Sequence, residues 1–109
     1  MGALVFKECW AHRVLGGSKT WEIRGCATRK RGRILVVVGR FVVGSVCIVD
    51  CFRISRAEFD RNRERHHQAP ATLYERYKQP HAYALASPVR RSAPLRITRR
   101  KGQVTWVLV

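Results

Sequence analysis

Acidic residues are scarce in this chain. Seven Asp and Glu stand against 22 Lys and Arg in 109 residues, a formal charge of +15. Long apolar runs are missing as well. Runs such as Ile34 to Val38 and Val46 to Val49 have strand length and fall far short of the roughly 20 residues of a membrane-spanning helix. Residues 1–7 lack the charged start and extended apolar stretch of a secretion signal. The four cysteines, Cys9, Cys26, Cys47 and Cys51, lack the paired spacing of a secreted scaffold. They are expected to be reduced, buried thiols in an intracellular, cytoplasmic protein. No repeat, low-complexity tract or long linker divides the chain, so residues 1–109 are expected to form one domain.

Apolar residues make up 46% of the sequence, which excludes a disordered basic tail. The excess of cations favours a polyanionic partner, nucleic acid first and an anionic membrane second. The partner expected is RNA, or else single-stranded DNA, and no membrane. Seventeen of the 22 cations are Arg, the side chain whose planar fork suits phosphate.

The pattern predicts strands over 2–7, 20–24, 33–38, 42–53, 81–87 and 103–109, with a Pro- and Arg-rich segment from Pro88 to Gly102 between the last two. Both faces of the Ile34 and Val42 strands are apolar, so they should be central and covered on both sides. One helix is expected over 9–15, ended by Gly16-Gly17. A second should run from 56 to 66, opened by a capping box of Ser55 and Glu58 with Ile54 and Phe59 as staple. At its end, His66 and His67 would complement the helix dipole. A third, short helix over 71–77 carries Leu73, Tyr74 and Tyr77 as its apolar stripe. Helix and strand do not alternate regularly. An α+β, strand-dominated barrel with inserted helices therefore fits better than a layered βαβ sheet.

In Lys19 to Arg24, Trp21 and Ile23 alternate with Thr20, Glu22 and Arg24. The polar three share one strand face, with neighbours roughly 6–7 Å apart, and Lys19 can bend toward them. Two cations around one carboxylate can hold an anion and still titrate, and a lysine so placed can serve as base or nucleophile. With the core anchored by Trp21 and Ile23, this face should be solvated, and loss of the Lys19 side chain should cost at most about 0.5 kcal/mol. Ser87, before Pro88, can turn its hydroxyl to the same cleft. One of Trp10, Trp21 and Trp106 could stack a base there.

A zinc site can be drawn from Cys9, His12, Cys47 and Cys51. Strand positions four apart, however, lie about 13 Å from each other, too far to share a metal. No metal or cofactor is expected.

The run Gly17-Ser18-Lys19-Thr20-Trp21-Glu22-Ile23-Arg24 resembles the G-x-K-T-x-E-x-R signature of the ASCH family in the PUA-like superfamily. Arg31 to Leu35, Gly44 to Asp50, and His81 to Leu85 through Gly102 to Trp106 resemble its later segments. The resemblance implies a small barrel with helices around it, a cleft beside the signature strand and an RNA-related role. Family members include acetylcytidine amidohydrolases, ribonucleases and RNA-binding modules. In the amidohydrolases, the resemblance makes Lys19 the catalytic lysine. Three residues on they have threonine, where this chain has Glu22, and a further glutamate falls in the helical insertion, with Glu64 and Glu75 as candidates.

Two functions follow as expectations. The first is an RNA-binding module. Its nucleotide cleft holds Thr20, Arg24 and Ser87, and phosphates are met by Arg29, Lys30, Arg31, Arg33, Arg90, Arg91, Arg99, Arg100 and Lys101. The second is an RNA- or nucleoside-processing hydrolase using Lys19 with Glu22 as its catalytic pair.

Overall fold

β-Branched residues crowd the middle of the sequence, and there the chain builds its longest paired strands. The computed structural model describes residues 2–98 and the backbone of 106–108. Its elements in order are β1 (Gly2–Val5), α1 (Glu8–Leu15), β2 (Trp21–Arg24), β3 (Gly32–Val38), β4 (Phe41–Arg53), α2 (Arg56–Arg61), α3 (Ala71–Arg76), β5 (His81–Arg96) and β6 (Trp106–Leu108). The strands form one six-stranded sheet in the order β2-β5-β4-β3-β1-β6. Among the described residues, only the β1–β3 pair is parallel. The sheet curls into a half-barrel, the strand-dominated architecture expected from the sequence.

α1 closes the inner side. Ala11, Val14 and Leu15 join Leu4, Phe6, Ile34, Val36, Val46, Ile48, Tyr83 and Leu85 in the main core. Gly44 lets this helix approach: a Cβ there would lie 2.5 Å from the Val89 carbonyl oxygen and 2.6 Å from Leu15 Cδ2. Gly17, at φ +84°, takes the left-handed turn that leads from α1 into the signature segment. A second core, Trp21, Ile23, Ile54, Phe59, Ala69 and Ala82, seats α2 and α3 beside β2.

Several expectations are corrected. α2 stops at Arg61 instead of running to 66. The Asn62 side chain donates to the Glu58 carbonyl at 2.6 Å, and the chain then folds back so that His66 stacks on Phe59 with ring centroids 4.1 Å apart. His66 is therefore a fully buried core residue and not a charge at a helix end. β5 does not stop at 87. It continues to Arg96 because the first half of β4 offers it a partner, from Ser45 opposite Val89 to Phe41 opposite Arg96. The Pro-rich stretch is absorbed as a bulge: the β4 register steps from Gly44 opposite Arg90 to Val42 opposite Leu95. The central strands are not covered on both sides, since Val49 of β4 is 57% exposed. The thiols are not buried either: Cys9 and Cys26 are exposed, and Cys47 and Cys51 are half-buried. Of the strand expected over 103–109, residues 106–108 pair with β1, and the rest lie outside the described residues.

Candidate nucleic-acid interface

The signature strand is held from both sides. On one side β2 pairs with β5, Glu22 opposite Tyr83 and Arg24 opposite His81. On the other, the segment between α2 and α3 passes over its start, where the Arg65 carbonyl accepts from the amides of Thr20 at 2.9 Å and Trp21 at 2.8 Å. The face that the alternation predicted to be solvated is buried. Lys19 is 2% exposed and Glu22 5%. The expectation that Lys19 could be removed at little cost falls with that burial.

Glu22 collects two cations. Its Oε2 accepts from Arg24 Nη2 at 2.6 Å and Nε at 3.1 Å, and its Oε1 stands 3.6 Å from Lys19 Nζ. Arg24 also donates to the Val5 carbonyl at 2.7 Å, and Lys19 donates to the His66 carbonyl at 2.9 Å. The Lys19 ammonium lies 4.6 Å from the centre of the Trp10 ring, which Arg13 approaches as well at 5.2 Å. Burial pushes the Lys19 pKa below the ordinary lysine value. Glu22 opposes that shift, and Arg24 and Arg13 add to it. With all three groups ionised the triad carries one net positive charge, which water screens only weakly because Lys19 and Glu22 are buried.

Two cavities flank the triad. One, about 250 Å³, is lined by Lys19, Thr20, Val14, Leu85 and Ser87. The other, about 240 Å³, is lined by Trp10, Glu22, Arg24, Phe6, Arg76 and Tyr77. Lys19 thus lines one cavity, and its partners Glu22 and Arg24 line the other.

The structure brings together Lys19, Thr20, Glu22, Arg24 and Ser87 around these cavities. Ser87 sits there with a left-handed backbone, φ 52°, and its carbonyl accepts from Arg33 Nη1 at 3.1 Å. Arg33 also donates to Ser45 Oγ at 2.9 Å. Arg90, on β5, reaches α1 and contacts His12 Nδ1 at 3.2 Å and the His12 carbonyl at 3.3 Å. Arg29, Lys30 and Arg31 stay together on the exposed loop before β3, where Arg31 faces Asp50 at 3.8 Å. Arg91 sits in the β5 bulge, bonded to the Ala93 carbonyl. None of these four lines either cavity. Arg99, Arg100 and Lys101 lie outside the described residues. Neither Glu64 nor Glu75 lines either cavity, and Glu75 is spent on Arg56 at 3.1 Å.

Arg13 and Arg65 were not singled out by motif, yet their carbonyls hold the backbone on both sides of Lys19–Thr20. The one sequence signal for them was membership of a basic or amphipathic run. Among the described residues, no group of three or more His, Cys, Asp or Glu is placed to hold a metal ion.

A family model for the ASCH domain matches residues 4–91. The chain belongs to the ASCH domain family. That family is generally RNA-binding and PUA-like. A search of curated proteins found no match. Among solved structures, the ASCH domain here is similar to a serine-to-alanine variant of ZmASCH from Zymomonas mobilis, with TM-score 0.78 and 14% identity over 99% of this chain and 87% of that one. A tyrosine-to-phenylalanine variant of the same protein aligns with TM-score 0.71 and 15% identity, covering 87% of this chain and 74% of that one. At such identity the likeness establishes the fold. No helix among the described residues is long and apolar enough to cross a membrane.

Proposed function

We propose that this ASCH domain binds single-stranded RNA across the Lys19 cavity. The observation that carries the reading is the buried Lys19–Glu22–Arg24 triad, a net positive centre that opens on two cavities, one of them walled by aromatic rings. A phosphate suits the Lys19 and Ser87 side; Arg33, bonded to the Ser87 carbonyl, and Arg13 and Arg65, whose backbones flank Lys19–Thr20, make no ion pair with any described carboxylate. An unstacked base suits the side of Trp10, Phe6 and Tyr77, where ring faces offer stacking and the Glu22 and Arg24 edges offer polar contacts. The exposed cations Arg29, Lys30, Arg31 and Arg91 would extend the backbone contacts outward. Fluorescence anisotropy of a labelled 12-nucleotide RNA, with single-stranded DNA of the same sequence as the second arm, tests this. Binding that falls tenfold or more in Lys19→Met and in the Arg13→Ala, Arg65→Ala double variant supports it. No binding at low salt overturns it.

A processing reaction is the second reading. It is favoured by Lys19, whose lowered pKa and neighbouring carboxylate suit proton transfer. Mass analysis of acetylcytidine or a short RNA after incubation with the purified chain decides it: unchanged substrate removes this reading and leaves the binding module.

A further inference from the structure

Lys19 owes its position to a segment distant in sequence. Residues 62–69 leave α2 and cross over the start of β2. The Arg65 carbonyl accepts two amides of the signature segment, and the His66 carbonyl accepts the Lys19 ammonium. The strap is closed under strain, since His67 and Gln68 both take left-handed backbone angles, φ 58° and 57°, which non-glycine residues avoid.

One side chain holds it. The His66 imidazole is fully buried, stacked on Phe59 of α2 at an interplanar angle of 14°. Its hydrogen bonds define its state. The Ala69 amide donates to Nδ1 at 3.0 Å, so Nδ1 carries no proton. The Phe59 carbonyl, 2.7 Å from Nε2, can only accept, so Nε2 carries the proton. The ring is neutral, with both nitrogens committed. A second proton would have to go on Nδ1, directly against the Ala69 N–H. The charged groups facing the ring are both cations, Lys19 from the signature segment and Arg63 from the strap itself. The α2 side offers the uncharged Phe59 ring, backed by Tyr74 of α3 at 5.2 Å. Among the described residues no carboxylate is positioned to welcome an imidazolium: Glu22 lies beyond Lys19 and is bound to it and to Arg24.

We infer that the 62–69 strap is a proton-sensitive latch on the Lys19 site: neutral His66 keeps the strap closed over Lys19 and β2, and protonation of its ring releases it. His66 is thus a positioning residue, acting on Lys19 through its own carbonyl. Burial, with Lys19 and Arg63 adding to it, pushes the His66 pKa below the ordinary 6.5, against the opposing bond to Phe59. The closed strap keeps its full stability above pH 6.5. As pH falls below that value the open form, which takes up the proton freely, gains about tenfold per pH unit until the closed-state pKa is reached.

Amide hydrogen exchange of the whole chain, expressed as protection factors from pH 7.5 to 5, tests the inference. The expected result is that protection at Thr20, Trp21 and Ala69 falls together by about tenfold per pH unit below 6.5. Protection at Val36 and Val46 of the main core should stay higher than at these three amides at every pH, because core amides exchange through larger openings. His66→Gln keeps a donor and an acceptor but cannot titrate, and in that variant the fall should vanish. Flat protection at Thr20 and Trp21, protection there no lower than at Val36 and Val46, or a fall that persists in His66→Gln would each overturn the latch. Should His66→Gln not fold, the wild-type profile decides alone on the first two outcomes. The functional weight of the latch rests on reading the Lys19 cavity as an RNA site, but the exchange profile contains no RNA. A chain with this profile and no affinity for RNA would overturn the proposed function and leave the latch standing.

Discussion

Lys19 Nζ stands 3.6 Å from Glu22 Oε1, and both side chains are all but sealed from solvent. A lysine and a glutamate three apart on a signature strand thus form the buried centre of the molecule's charge distribution, with Arg24 as second cation on the same carboxylate.

Stability should respond unequally to the two partners. Glu22→Gln leaves two buried cations without a counter-charge and should cost about 3–5 kcal/mol. Lys19→Met keeps the apolar stem and leaves Glu22 paired with Arg24, so it should cost clearly less. Urea unfolding of both variants measures the order. Equal costs would show that Arg24 alone does not satisfy the carboxylate.

RNA affinity should fall steeply with salt. Four phosphate contacts on a single strand give a slope of log affinity against log salt of about −2.8, and each arginine removed should lower its magnitude by about 0.7. Anisotropy titrations over a salt series check this for Arg13→Ala and Arg65→Ala. An unchanged slope in both would place the backbone elsewhere.

Gly44→Ala should be destabilising by about 1–3 kcal/mol, because its Cβ would press into the Val89 carbonyl of β5 and into Leu15 of α1. Thermal unfolding measures the loss, and a neutral result would mean that α1 can shift off the sheet at little cost.

Tyr83 should ionise only as the protein unfolds. Burial raises its pKa first of all, and its hydroxyl donates to the Cys26 carbonyl at 2.8 Å. The unfolded chain gives up this proton near pH 10 and the folded one does not, so stability is lost as pH rises above 10. Alkaline titration followed at the phenolate absorbance should show one tyrosine titrating in step with the unfolding signal, a component absent from Tyr83→Phe.

Strand content was legible because Ile34–Val38 and Val42–Ile54 are too β-branched and too short in apolar period for helices. The start of α2 was legible as well, since a capping box is a contact between neighbours in sequence: Ser55 accepts from the Glu58 amide, and the Glu58 side chain accepts from the Ser55 amide. Its end was not. A run of charged residues is compatible with helix to His66, whereas the chain turns back through the Asn62 bond to the Glu58 carbonyl and the stacking of His66 on the Phe59 ring. The length of β5 escaped for a similar reason: Pro88 and Pro94 argue locally against a strand, while β4 supplies the partner that makes one.

By itself the sequence determined the family, the strand-rich architecture and the identity of the polar residues on the signature strand, because each is written in local spacing. Whether those residues face water was decided by the tertiary structure alone. Alternation assigns Glu22 to the face opposite Trp21 and Ile23, but it does not reveal that Trp10 of α1 and Leu73 and Arg76 of α3 line the same cavity, nor that residues 62–69 reach Lys19. Burial is set by what packs against a face. At Lys19 the packing element comes from some 45 residues further along the chain, as the Lys19–His66 bond with its sequence separation of 47 records, and no local pattern encodes it.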